Sequence, residues 1–181
     1  MKLIARKTEN GTIYKCSCCG QEYGELPLIF GNDFPDYAYS VPVDEREKRI
    51  EIEESLCVVD GRHFFHRGQL TIPINNYDHD LIFNVWTSIS ESNFRKRNDL
   101  WNAQDRVKEE PYFGWLQTVV PSYGDTLNIK TIAVENEIGF IPSIRMIEEG
   151  HQLTIDQENG ISFDKALEVV GIILSSGHSN K

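Results

Sequence analysis

Between Leu56 and Ile89 the chain runs through Leu56-Cys57-Val58-Val59, then Asp60-Gly61, then two returning apolar stretches. Asp-Gly between apolar runs is a strong hairpin signal, because the tight primed turn needs positive φ at both of its central residues. His63 to Arg67 and Leu70 to Ile74 read as one returning strand, kinked at Gly68, and Pro73 argues for a sheet edge. Leu81 to Ile89 is β-branched and aromatic, a third strand. Such neighbours pair antiparallel, and no regular strand–helix–strand alternation appears elsewhere.

The flanks fit that frame. Thr12 to Cys16 is β-prone and enters a turn, Cys16-Ser17-Cys18-Cys19-Gly20. Residues 24–42 are rich in proline and glycine and read as a long irregular connection. Asp44 is placed to cap a short helix with Glu45 to Arg49 on its solvated face. Ser90 is placed to cap a helix that runs through Phe94, Arg95, Arg97, Leu100 and Trp101. Phe113–Val120, Thr126–Val134 and Ile141–Ile147 read as strands, the last two joined by a hairpin at Asn136 and Gly139. Leu153–Glu158 and Phe163–Ser175 read as helices, stopped by Asn159-Gly160 and capped by Ser162 respectively, and the chain is expected to fray from Gly177. The expected fold is α+β: an antiparallel sheet of about six strands, helices on one face, and an N-terminal cysteine knuckle. Length suits a single domain over residues 1–181, with 1–30 as a knuckle appendage.

Charge excludes some functions. Each half of the chain carries 9 basic and 14 acidic residues, and the net charge is −10. A uniformly acidic surface is repelled by phosphate backbones and anionic lipid, so neither nucleic acid nor membrane is an expected partner. Charge returns at Arg6, too early for a signal peptide, and no apolar run approaches the roughly 20 residues of a membrane helix. The expectation is a cytoplasmic protein, where four cysteines serve as metal ligands or plain thiols more readily than as disulfides.

Cys16 and Cys19, three positions apart across a tight turn, fit half of a tetrahedral structural zinc site, with Cys18 pointing away. Cys57 is the candidate third ligand, with His63, His66 or His151 for the fourth place. The competing reading is four ordinary thiols. A redox pair fits less well, since Gly20 and Gly24 interrupt the helix such a pair should open. His63 and His66 fall on opposite faces of one strand and cannot chelate together.

These stretches resemble a bacterial family catalogued as domain of unknown function 2199. The likeness is carried by Cys16–Gly20 with Leu26-Pro27, Leu56–Asp60, Arg67–Ile74, Val85–Phe94, Tyr112–Leu116, Pro121–Thr126, His151–Leu153 and Gln157–Ser162, in order along nearly the whole chain. Members of that family usually carry a histidine a few positions after the cysteines. Here that place holds Tyr23, so such a ligand is missing from this member. The resemblance implies a common fold and no mechanism.

No GxSxG elbow, phosphate loop or GxGxxG is present. The leading functional expectation is a non-catalytic domain that recognises another protein. One concrete form is an immunity-type antidote whose acidic face blocks a basic toxin. Its oligomeric state is left open by the sequence. The rival is an enzyme with a pocket gathering Cys57 or Asp60, His66 and Arg67. A third reading is a small-ligand domain using Trp86, Trp115 and Tyr112, if these line an apolar pocket. Trp86, Trp115 and Trp101 are otherwise core residues, Arg67 a salt-bridge former, and Arg95-Lys96-Arg97 a solvated helix face.

Overall fold

The structure is a computed structural model describing residues 3–9, 11–17 and 19–176; the expected fraying from Gly177 and the orientation of Cys18 lie outside these. The chain opens with a three-stranded antiparallel meander, β1 (Leu3–Thr8), β2 (Gly11–Cys16) and β3 (Glu22–Tyr23). In the β2–β3 turn the Gly20 amide donates to the Cys16 carbonyl at 3.0 Å, and Gly20 sits at φ +74°. Leu3, Tyr14 and Cys16 are buried in the main core beside Leu26 and Leu28, so the N-terminal sheet has no separate core.

A second sheet has eight strands. They are β4 (Ile29–Gly31), β5 (Ile50–Ile52), β6 (Leu56–Val59), β7 (His63–Ile72), β8 (Leu81–Ile89), β9 (Tyr112–Leu116), β10 (Lys130–Val134) and β11 (Ser143–Met146). Strands β7 to β11 pair antiparallel in succession, and β11 returns to β7 to close a five-stranded barrel. An odd number of up-and-down strands leaves the first and last pointing the same way, so the closing pair is parallel, at Ser143 and Gln69. β4 extends the sheet parallel to β8, while β6 and β5 extend it from β7. This corrects the expected six-stranded antiparallel sheet. Hairpin signals are local and were followed, but closure and the β4 pairing depend on contacts between distant segments.

Closure also explains Gly68. A Cβ there would meet Ile144 Cδ1 at 2.5 Å and the Pro142 carbonyl oxygen at 2.9 Å. Gln69 beside it donates its amide to that same carbonyl at 2.8 Å. Gly68 is therefore a close-approach position on an unbroken strand, and β7 is an interior strand that ends before Pro73. The Asp60-Gly61 turn forms as expected, with φ of 55° and 64°.

The helices are α1 (Arg46–Arg49), α2 (Glu91–Asp99), α3 (Gln152–Asn159) and α4 (Phe163–Ser176), with 3-10 turns at Asp36–Ser40, Val43–Glu45 and Gln104–Lys108. Asp44 lies inside a 3-10 turn and caps nothing. Ser90 caps α2 by accepting from the Asn93 amide at 3.2 Å. α2 stops at Asp99, so Trp101 lies beyond it. Leu153, Leu167 and Val170 of α3 and α4 share one core with Leu70, Ile72, Leu81 and Phe83 of the barrel, α3 packing on β7 and β11 and α4 on β1. A smaller core outside the barrel joins Cys57, Val59, Phe65 and Trp86. No helix among the described residues is long and apolar enough to cross a membrane.

Candidate functional site

Strand alternation decides which side chains enter the barrel. Along β7 the even residues point in and along β8 the odd ones, since His66 pairs with Thr87 and Leu70 with Phe83. On β9 the inward set is Tyr112, Gly114 and Leu116; on β10 it is Thr131 and Ala133, and Glu135 continues the alternation just past the strand. The interior thus has an apolar end under α3 and α4 and a polar end made of His66, Thr87, Thr131, Tyr112 and Glu135. α2 lies across β7 near the polar end, with Phe94 on Phe64 at 5.1 Å between ring centroids.

Two arginines meet Glu135 there. Arg106 comes from the 3-10 turn and Arg97 from the inner side of α2; they are 1% and 3% exposed. Arg106 is fully engaged. Its Nε donates to Glu135 Oε2 at 3.1 Å, its Nη2 donates to the same oxygen, and its Nη1 donates to the Trp101 carbonyl at 3.2 Å. The other oxygen, Oε1, accepts from the Tyr112 hydroxyl at 2.7 Å. Oε2 thus takes two donors and Oε1 one. Arg97 is held more loosely: it lies 3.6 Å from Glu135 Oε1 and close to the Tyr112 hydroxyl, and none of its three guanidinium nitrogens reaches a partner in full hydrogen-bond geometry. Both guanidinium groups also lie over the Trp101 ring, at 5.1 and 5.3 Å.

The buried subset carries two positive charges and one negative. Burial pulls the Arg97 pKa down, against the pull of Tyr112 and Glu135. Burial, then Glu135, push the Tyr112 hydroxyl well above its ordinary value. His66 is held well below its ordinary value by burial and by the Arg97 charge, so it is neutral, and neither of its ring nitrogens has a partner. The hydroxyls of Thr87 and Thr131 are also buried without partners. Over this cluster a cleft with a free interior of about 30 Å³ is lined by Arg97, Arg106, Tyr112 and Glu135, and its exposed lining residues are Lys96 and Glu110.

The residues singled out from sequence are distributed otherwise. Cys57 pairs with Phe65, putting it on the outer face with Arg67, whereas His66 points inward. Arg67 donates to the carbonyls of Asn32 and Glu54 and stacks 5.1 Å from the Trp86 ring, so its partners are backbone rather than a carboxylate. Asp60 pairs with Arg49 at 2.6 Å. His63 accepts or donates a 3.0 Å hydrogen bond with the Tyr37 hydroxyl. Trp86 is buried, but Trp115 is 41% exposed on the outer face against Phe113, so Trp86, Trp115 and Tyr112 line no common pocket. Cys16 is buried in the main core, Cys19 is exposed and Cys57 lies in the outer core. Among the described residues no three His, Cys, Asp or Glu side chains gather as metal ligands.

Of the basic triplet, Arg95 is solvated and paired with Glu91, but Arg97 is not solvated. The signal was present: Arg97 lies three residues from Phe94 and three from Leu100, on the apolar side of α2.

The family described as "Uncharacterized protein conserved in bacteria (DUF2199)" matches residues 15–161. The chain belongs to this family. No curated protein and no solved structure was found to match it. The DUF2199 match takes in His66, Arg97, Arg106, Tyr112 and Glu135, while β1 and α4 fall outside it.

Proposed function

We propose that this chain is a binding domain whose cleft at the polar end of the barrel takes a carboxylate group. The observation that carries the reading is Arg97, a guanidinium 3% exposed whose nitrogens reach no partner in full hydrogen-bond geometry, beside a carboxylate whose hydrogen bonds come from Arg106 and Tyr112. Buried donors rarely stay unmade, since each costs about 1–3 kcal/mol. The guanidinium fork matches the two oxygens of a carboxylate. Charge favours the same group: one carboxylate balances the single positive charge that Arg97 and Arg106 leave over Glu135.

The test is thermal unfolding with acetate, propionate and butyrate against chloride and phosphate at equal ionic strength. Carboxylates should raise the midpoint, phosphate should not, and Arg97→Met should abolish the response. A midpoint indifferent to every carboxylate, or equally responsive in Arg97→Met, refutes the reading.

Two further proposals concern other parts of the chain. The net charge of −10 favours a basic protein partner as a second recognition role, with binding that weakens steeply as salt rises. The Cys16–Cys19 turn, tightened at Gly20, suits half of a structural zinc site.

A further inference from the structure

The cleft changes sign from bottom to rim. Its floor holds Arg97 and Arg106 against the single carboxylate of Glu135. At the rim Lys96 pairs with Glu109, and the two cancel. Glu110 is then the surplus charge at the mouth: it is exposed, and among the described residues it makes no ion pair. A simple carboxylate would fit the floor and be repelled at the mouth, in a protein already at −10. A ligand with a cationic group a few bonds from its carboxylate meets both charges.

We propose that the ligand is an amino carboxylate, its carboxylate on the Arg97 guanidinium and its ammonium at the rim against Glu110. This rests on the carboxylate reading above and adds the amine. Leu100 supplies apolar surface to the same cleft and suits the connecting carbons. The length of that connection is the unknown, so the probe is a series.

The experiment is titration calorimetry of the full chain with glycine, β-alanine and γ-aminobutyrate, each against its amine-free counterpart acetate, propionate or butyrate. An ammonium facing a carboxylate in a wet rim should tighten binding about two- to fivefold for the member of matching length. Glu110→Gln should bring that ratio close to one; its site is exposed, and circular dichroism checks its folding. Equal affinities for every amine and acid pair, or a ratio unchanged in Glu110→Gln, overturn the inference and leave the carboxylate reading standing. If neither series binds, both fall.

Discussion

Replacing Arg97 by methionine exchanges a buried cation for an apolar chain of similar length. On the debit side stand the 3.6 Å ion pair to Glu135 and the stacking on Trp101. The ion pair is offset by repulsion from Arg106, which shares both Glu135 and the Trp101 ring. Stacking of a desolvated cation contributes about 2 kcal/mol at most. On the credit side, the burial penalty of an ion, several kcal/mol, disappears together with the unmade donors. Arg97→Met should therefore leave stability unchanged or raise it by about 1–3 kcal/mol. Arg106→Met is the control. It removes three hydrogen bonds of a charged group, each worth about 1.5–3 kcal/mol, while Glu135 keeps only the Tyr112 hydroxyl and the Arg97 ion pair. In a chain of this length 1 kcal/mol moves the thermal midpoint by about 2–4 °C, so urea titration and thermal scans separate the variants easily. If Arg97→Met loses as much stability as Arg106→Met, Arg97 is a structural strut and the surplus-cation argument is wrong.

Three other outcomes are expected. Gly68→Ala should destabilise by at least about 1–3 kcal/mol in urea titration, because its methyl strikes Ile144 and the rigid Pro142 carbonyl where the barrel closes; a neutral result would mean that the closure yields. His66 has a folded pKa below its unfolded value, so the unfolded chain binds the extra proton and stability falls as pH drops below about 6.5, by up to about 1.4 kcal/mol per pH unit; His66→Phe should flatten that slope between pH 6.5 and 5, and an unchanged slope would contradict it. Protein purified without a histidine tag should carry about one zinc per chain if the knuckle is a metal site, lost in Cys19→Ser and kept in Cys57→Ser, whose sulfur lies in the other core with its pKa pushed up to about 12 by burial; metal-free protein with a reactive Cys19 would refute it.

What the sequence revealed depended on range. The Asp60-Gly61 turn, the Ser90 cap and the α4 helix rest on neighbours within a few positions, and all three formed. The strands between Phe113 and Ile147 were anticipated, but the structure trims each to four or five residues, because the ends leave the barrel ladder. Trp115 misled because aromatic residues suit either sheet face, and only the register with β10 shows which side of β9 is inside. Closure between Gln69 and Pro142 spans distant segments, and its one local trace was Gly68, which reads equally as a kink.

The site was missed for a related reason. Arg97 hides in a run of three basic residues, and charge runs are normally solvated faces. Its helical phase contradicts that default, since the position falls between Phe94 and Leu100 on the packed side of α2. Glu135 and Tyr112 carry no motif; they become partners only when β9 and β10 pair and send alternate residues into one lumen. A closed barrel could have filled that end with leucine and valine, as it does under α3 and α4. Instead His66, Thr87, Thr131 and Arg97 keep buried polar atoms unpartnered at this end, against single such atoms on Arg67, Tyr123 and Thr154 elsewhere. Folds normally satisfy such groups, and local violations concentrate where a ligand completes them. The unmade hydrogen bonds, taken with the surplus charge, therefore locate the site better than any motif in the chain.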